Sequence, residues 1–281
     1  MPLISIIIVT YNRHKKLLRC ISSINKSKFK DFEVIVINDK PNDNLEHLLK
    51  NFNLTLINHK KEKLWVKSRN EGAKLSKGQL LLFIDDDNII SPHTVGLLAQ
   101  KYMQLQNNAR VGLLGPLMYN KDKTLWFWGA RWNQINPYPI PVNKKEITSK
   151  ELIETDTIPN AYLISKKLYF DVGMEDTNFL HNEDTELTQR LKKYGHKSYI
   201  YTKAKLVHDH GGIISHLTPF RVYNVIKSNI MLEKNYVTRY RYALFLTLYL
   251  PINMLLYYFI YKIPLKLNGN RLAYYKRISM D

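Results

Sequence analysis

The sequence is poor in cysteine and in acidic side chains. A single cysteine, Cys20, in 281 residues excludes a disulfide framework and a cysteine-ligated zinc module. Only 24 Asp and Glu residues oppose 42 Lys and Arg residues, so the formal net charge is +18. Such an excess indicates an anionic partner, and a phosphorylated ligand, a nucleic acid and an acidic lipid surface are the alternatives.

Repeats, low-complexity tracts and a glycine-rich dinucleotide loop are also missing. No Gly-x-Gly-x-x-Gly follows the first apolar run, residues 3–9, which argues against a nicotinamide dehydrogenase. That run is too short for a signal peptide, so we expect a buried strand and no targeting signal. Apolar residues make up 45% of the chain, which is ordinary globular usage and predicts one large α/β domain followed by an extension.

Apolar strands alternate with helical patterns in the first half. The predicted strands are 4–9, 32–37, 54–57 and 80–84, with helices between them, one of them over 65–75. This alternation predicts a mostly parallel sheet with helices on its faces. Ligands of such sheets bind beyond the carboxyl ends of the strands. Polar segments 10–13, 38–39 and 85–87 follow three of these ends, so we expect them to converge at one edge.

The acidic triplet Asp85-Asp86-Asp87 comes directly after a buried strand. Adjacent carboxylates repel one another, and the repulsion is tolerated where a cation offsets it. On an extended backbone Asp85 and Asp87 point to the same side, so both can approach one ligand. The triplet therefore predicts a metal or ligand site, and a solvated acidic turn before the helix that begins at Ser91-Pro92 is the alternative.

Five motifs occur in an order that resembles the inverting glycosyltransferases of family 2. They are Ile8-Val-Thr-Tyr-Asn-Arg13, Val36-Ile-Asn-Asp39, Lys67-Ser-Arg-Asn-Glu-Gly72, Phe83-Ile-Asp-Asp-Asp87 and His181-Asn-Glu-Asp184. The resemblance covers about residues 3–215. It implies the GT-A fold, a Rossmann-like, mostly parallel sheet flanked by helices, as a catalytic domain over residues 1–218.

The resemblance also implies a role for individual residues. The expected site consists of Thr10, Tyr11, Asp39, Arg69, Asp85, Asp86, Asn160 and Glu183 for the substrates, Asp87 and His208 for a divalent Mn²⁺ or Mg²⁺ ion, and Asp184 as the catalytic base. Within it, Thr10, Tyr11 and Asp39 hold the nucleoside and Asn160 faces the acceptor. His210 is the second candidate for the metal ligand if His208 does not bind the ion. The alternative for both is a polar loop histidine without a metal.

The chemistry of sugar transfer suits these residue types. The departing diphosphate needs a cation, and the acceptor hydroxyl needs a base. Asp184 lies near the start of a helix predicted over 183–194, where the helix dipole favours an ionised carboxylate. The alternative is that Asp184 is only a favourable charge in the first turn of the helix and has no catalytic role. The family's Gln-x-x-Arg-Trp signature of processive synthases is missing, which favours non-processive addition of one hexose or deoxyhexose. Lys40-Pro41-Asn42 replaces the usual Asp-Gly-Ser, so the nucleobase stays open.

Three tryptophans, Trp126, Trp128 and Trp132, lie close together in the second half. Stacking on a sugar face is one interpretation of them. Tryptophans at such short spacing more often pack in a core or lid, and we expect packing here.

The C-terminal segment, residues 219–281, carries ten basic and two acidic residues and many tyrosines. Between Ala243 and Tyr261 it has no charged residue, but Pro251 and Asn253 make it a poor simple membrane span. We expect a helical extension that associates with an anionic membrane surface at the cytoplasmic face, as a peripheral or monotopic protein. A helix packed on the catalytic domain is the alternative.

Together these features predict a metal-dependent inverting glycosyltransferase. It would move a single sugar from a nucleoside-diphosphate sugar to a hydroxyl of a glycan or lipid-linked acceptor. A basic nucleic-acid-binding protein and a catalytically inactive glycan-binding relative are the alternatives. The predicted site is acidic and the basic residues flank an uncharged stretch, so we expect no nucleic-acid partner.

Overall fold

The computed structural model describes residues 1–108, 110–132, 139–209, 219–252 and 254–255. The chain divides into two units, Met1–Gly211 and Gly212–Asp281. The functional division after residue 218 stays a prediction.

Strands and helices alternate through the first unit. Its strands are β1 (Ile4–Thr10), β2 (Phe32–Asn38), β3 (Thr55–Asn58), β4 (Leu80–Ile84), β5 (Asn88–Ile90), β6 (Val111–Asn120), β7 (Leu125–Phe127), β8 (Ala130–Arg131), β9 (Ile140–Pro141), β10 (Leu152–Thr155), β11 (Ala161–Ser165) and β12 (Lys197–His208). Its helices are α1 (His14–Asn25), α2 (Glu46–Leu49), α3 (Trp65–Leu75), α4 (Thr94–Asn108), α5 (Glu146–Ser149), α6 (Lys166–Asp171) and α7 (Glu183–Lys193).

The main sheet has the strand order β10-β12-β6-β11-β4-β1-β2-β3, with β5 paired to β12 and β7 to β6. Strands β3, β2, β1, β4, β6 and β12 run in one direction, whereas β11, β10, β5 and β7 run in the other. The predicted α/β class with a mostly parallel sheet is therefore confirmed. The carboxyl ends of the parallel strands, and the amino end of β11, all lie at one edge.

Helices cover both faces of the sheet, which is why its central strands are continuously apolar. The apolar residues Leu17, Ile21 and Ile24 of α1 are buried, as is the single cysteine, Cys20. Helix α3 packs on β1 at Gly72, where an added Cβ would lie 2.6 Å from a side-chain carbon of Ile7. Gly72 thus permits the close approach that fixes the polar residues of α3 over the sheet.

Irregular segments precede α1 and α4, and the start of α4 differs from the sequence prediction. Helix α1 begins at His14 after Arg13, and Asn12 has a φ of 56°. Helix α4 begins at Thr94, whose backbone N donates to the Ser91 carbonyl at 3.0 Å, so the helix starts two residues after the predicted first helical residue, Pro92. Strand β12 is continuous from Lys197 to His208, with a register shift against β6 between Tyr201 and Lys205.

The second unit is helical where it is described. It contains α8 (Pro219–Tyr236), α9 (Arg239–Leu244) and a π-helical turn, Phe245–Tyr249. Arg241 of α9 pairs with the buried Glu233 of α8 through two hydrogen bonds of 2.7 and 3.0 Å. Within the described part of the chain, no helix is both long enough and apolar enough to cross a bilayer. Residues 253 and 256–261 of the predicted uncharged segment lie outside the described residues.

Candidate active site

The acidic triplet forms a turn at the carboxyl end of β4. The backbone N of Asn88 donates to the carbonyl of Asp85 at 3.1 Å, so strand alternation does not continue here. Asp86 and Asp87 both accept a hydrogen bond from Arg13, at 3.0 and 3.1 Å. Asp85 instead accepts from Arg69 at 2.5 Å. The expectation that the backbone stays extended through the triplet is wrong because the backbone turns, and the approach of Asp85 and Asp87 to one ligand stays a prediction.

Asp86 is the most buried member of the triplet. The Thr10 hydroxyl donates to its carboxylate at 2.7 Å, and burial raises its pKa to about 6 against the opposing effects of Arg13 and Thr10. Thr10, at the end of β1, therefore holds the acidic turn in place. The predicted contacts of Thr10 and Asp86 with the substrates stay predictions.

Asp87 lies beside the predicted second metal ligand. His208, the last residue of β12, has its Nε2 3.5 Å from Asp87 Oδ1, and Lys16 Nζ lies 3.4 Å from Oδ2. Burial opposes ionisation of Asp87, but His208, Arg13 and Lys16 together hold its pKa below the ordinary value. The carboxylate is thus ionised at neutral pH.

A carboxylate oxygen and an imidazole nitrogen form a donor pair that suits Mn²⁺. The described residues contain no group of three His, Cys, Asp or Glu side chains placed to hold a metal. Asp87 and His208 therefore fit an ion that takes its remaining ligands from a substrate or from water. The substitute ligand His210 lies outside the described residues.

Arg69 of α3 joins three carboxylates from distant parts of the chain. Its guanidinium lies 2.5 Å from Asp85, 3.2 Å from Glu183 and 3.3 Å from Glu175. Glu183 also accepts a hydrogen bond from the Trp65 indole at 2.9 Å. This cluster brings the acidic turn after β4 next to the start of α7.

Glu175 is almost completely buried in this cluster and was not predicted as a site residue. It accepts hydrogen bonds from Arg69 and from the Tyr162 hydroxyl. Burial raises its pKa to about 7, with Arg69 opposing the shift and Glu183 adding to it. No local pattern marks Glu175, because its partners come from α3 and β11.

Asp184 is the second residue of α7, which begins at Glu183. Its carboxylate accepts a hydrogen bond of 3.0 Å from the Thr157 hydroxyl, which also contacts Thr185 at 2.8 Å. Burial raises the pKa of Asp184, while the hydrogen bonds from Thr185 and Thr157 oppose the shift. A carboxylate with a raised pKa accepts a proton more readily at neutral pH, as a general base requires.

Asp39 occupies the neighbouring part of the same edge, directly after β2. Its Oδ1 lies 2.7 Å from Nδ1 of His59 and accepts from the backbone N of Lys63 at 2.9 Å. Tyr11 lies close by, with Lys40 Nζ 5.3 Å from its ring centroid. His59 was not predicted, although its place directly after β3 is the signal that marks the other polar residues of this edge.

Asn160 lies immediately before β11, at the same edge. Its φ is 64°, and its carbonyl accepts from the backbone N of Asp85 at 2.9 Å and from the Asn88 amide at 3.3 Å. Its own side-chain nitrogen is buried and has no hydrogen-bond partner among the described residues. Asn160 thus braces the acidic turn through its backbone, and its contact with an acceptor stays a prediction.

The tryptophans make internal contacts. The Trp126 ring packs edge-on against His208 with centroids 4.4 Å apart. The Trp128 indole donates to the Val142 carbonyl at 2.6 Å, and the Trp132 backbone N donates to Asp156 at 2.8 Å. Trp126 thereby supports the predicted metal ligand.

Two relatives of known sequence resemble the chain over most of the first unit. An uncharacterized glycosyltransferase of Haemophilus influenzae is 23% identical over 67% of this chain and 62% of its own. The GalNAc(5)-diNAcBac-PP-undecaprenol beta-1,3-glucosyltransferase of Campylobacter jejuni is 29% identical over 71% of this chain and 64% of its own. The chain thus spans less than two thirds of the length of these relatives.

A solved structure shares the fold. The crystal structure of GalNAc-T7 with UDP, GalNAc and Mn²⁺ superimposes with a TM-score of 0.64 at 16% identity, over 81% of this chain and 48% of that one. The model of the family described as glycosyl transferase family 2 matches residues 5–170, which is more than half of the chain. The chain therefore belongs to glycosyl transferase family 2 and has the GT-A fold.

Proposed function

We propose that the chain is a metal-dependent, inverting glycosyltransferase that moves one hexose or deoxyhexose from a nucleoside-diphosphate sugar to a hydroxyl. The observation that carries the proposal is the contact of Arg69 with both Asp85 and Glu183. It brings the two acidic motifs together, with Asp184 next to Glu183 in α7. Arg69 thus lies between Asp85, the proposed donor-binding carboxylate, and Glu183, the chain neighbour of the proposed base.

Asp184 acts as the base in this proposal. Thr157 fixes its carboxylate from one side, and its raised pKa favours uptake of the proton from the acceptor hydroxyl as the new bond forms. Direct attack by that hydroxyl on the anomeric carbon inverts its configuration. Arg69 offsets the charges of Asp85 and Glu183, which limits their repulsion of the donor's diphosphate.

Asp87 and His208 are the residues that would hold the divalent ion. A bound Mn²⁺ or Mg²⁺ would supply charge stabilisation for the departing diphosphate. Arg13 and Lys16 already lie at Asp87, so the chain's own cations contribute positive charge to the same place. The presence of UDP and Mn²⁺ in the GalNAc-T7 crystal supports this choice of donor and ion.

A glycan or lipid-linked acceptor at an anionic membrane surface completes the proposal. The Campylobacter jejuni relative is named for an undecaprenol-linked substrate, and this similarity supports a lipid-linked acceptor. In the second unit Leu248, Ile252 and Leu255 are about half exposed. Exposed apolar side chains in a segment whose sequence is rich in basic residues suit contact with an anionic membrane surface at the cytoplasmic face.

The test is Asp184→Asn, which preserves the shape of the side chain but removes its basicity. We expect UDP binding to persist and sugar transfer to fall by about a hundredfold or more. Asp171→Asn, at an exposed position of α6, is the matched control and should transfer at the parent rate. Transfer by Asp184→Asn near the parent rate, or a product with retained anomeric configuration by NMR, would contradict the proposal.

A further inference from the structure

His59 is held beside Asp39 by the register of two strands. Strands β2 and β3 are parallel with Asn38 opposite Asn58, and each ends just before one of the two residues. The backbone N of His59 donates to the carbonyl of Asn38 at 2.9 Å, which extends the strand pairing by one step. The two side chains therefore meet at the carboxyl edge of the sheet.

The His59 ring lies between two carboxylates. Its Nδ1 is 2.7 Å from Asp39 Oδ1 and its Nε2 is 3.1 Å from Glu71 Oε2, and its side chain is only 3% exposed. Ionised carboxylates only accept hydrogen bonds, and a neutral imidazole donates from one nitrogen only. Each ring nitrogen lies within hydrogen-bond distance of one carboxylate, and the contact with Asp39 goes through Nδ1.

Lys63 contacts both of the carboxylates that flank His59. Its backbone N donates to Asp39 Oδ1 at 2.9 Å, and its Nζ donates to Glu71 Oε2 at 2.6 Å. Both contacts on Asp39 therefore fall on the same oxygen, Oδ1. Within the described part of the chain, Asp39 Oδ2 receives no hydrogen bond.

We propose that His59 is a positioning residue for the nucleoside site: backed by Glu71 and Lys63, it holds Asp39 by Oδ1 and leaves Oδ2 to accept a hydrogen bond from the nucleobase. The inference rests on the proposed function, in which Asp39 contacts the nucleoside. An acceptor-only carboxylate favours bases that present a ring N–H, such as uracil, over bases that present a bare ring nitrogen, such as cytosine.

The experiment measures UDP and CDP affinity by calorimetry and the donor KM and kcat of transfer. His59→Phe keeps a buried ring but removes both hydrogen bonds, and we expect UDP affinity to fall about tenfold. The donor KM should rise by the same factor, while kcat at saturating donor stays close to the parent value. His59→Asn keeps an amide N–H near the position of Nδ1 and should recover most of the affinity. The parent should bind UDP more tightly than CDP.

Two further variants complete the design. His196→Asn is the matched control and should bind UDP like the parent, because the His196 ring contacts the Val111 carbonyl at the amino end of β12, at the sheet edge opposite to Asp39. Glu71→Gln, at a partly exposed position of α3, should weaken UDP binding about threefold. If His59→Phe does not fold, this variant still tests whether the contact of Glu71 with His59 supports nucleotide binding.

Parent-like UDP binding by His59→Phe, equal losses in His59→Phe and His59→Asn, or parent-like binding by Glu71→Gln would overturn the role of His59. A parent chain that binds neither nucleotide, or an Asp39→Ala variant that binds UDP like the parent, would overturn the proposed nucleoside site itself. The two failures are thus distinguishable.

Discussion

The buried carboxyl group of Glu175 is expected to make stability depend on pH. Its pKa is raised from the ordinary value of 4.5 to about 7 in the folded protein, chiefly by burial. A raised carboxyl pKa means that the folded state binds a proton that the unfolded state has already lost. Its stabilising contribution is full below the unfolded value and is lost as pH rises through about 7. At 1.36 kcal/mol for each pH unit, the loss is about 3 kcal/mol.

The substitution Glu175→Gln removes this titration but keeps the size of the side chain. It also removes one of the three carboxylates around Arg69, at a cost that does not vary with pH in this range. We therefore expect the unfolding free energy of the variant, relative to the parent, to improve by about 2.5 kcal/mol between about pH 5 and about pH 8, because part of the loss has already occurred at pH 5. Asp86, with a pKa raised to about 6, is present in both proteins, so its titration cancels in the difference.

Urea unfolding followed by tryptophan fluorescence measures this difference. All four tryptophans precede residue 133, so the signal reports the first unit. Glu46→Gln, at an exposed position of α2, is the matched control, and its difference from the parent should not vary with pH. A Glu175→Gln difference that is the same at both pH values would refute the reasoning, because the carboxyl would then titrate alike in the folded and unfolded states.

Two further predictions concern the metal and the membrane. Asp87→Ala should weaken Mn²⁺-dependent UDP binding at least about tenfold in calorimetric titrations and change metal-free binding much less; unchanged metal dependence in a folded variant would remove Asp87 from the metal site. Combined serine substitution of Leu248, Ile252 and Leu255 should lower binding to vesicles with anionic lipid at least about tenfold, whereas high salt should release the parent only in part. A triple variant that cosediments with vesicles like the parent would contradict insertion of these side chains.

The local pattern of the chain predicted the first half of the sheet closely. Helix α3 has the bounds expected from its sequence, and β1 to β4 agree to within a residue or so, because continuous apolar strands and 3.6-residue periods are local signals. The polar residues that end β1, β2 and β4 also indicated the site edge. The order of the motifs in the chain was enough to indicate the family.

The partners of those residues were not predictable from the sequence. Arg13 pairs with Asp86 and Asp87, and Arg69 pairs with Glu175, because the strand order places these distant segments side by side. The antiparallel insertion of β11 between β4 and β6 likewise places Asn160 beside Asp85. Short motifs indicate which residues lie at the edge of the sheet, but not which residues they contact there.

The sequence by itself thus determined the fold class, the family and most of the acidic residues at the site, since each depends on neighbours in the chain. Only the tertiary structure decided that Glu175 lies buried against Arg69 and that His59 lies between Asp39 and Glu71. The physical reason is that burial and ion pairing depend on strand order, register and helix packing, which bring together residues that no local pattern connects.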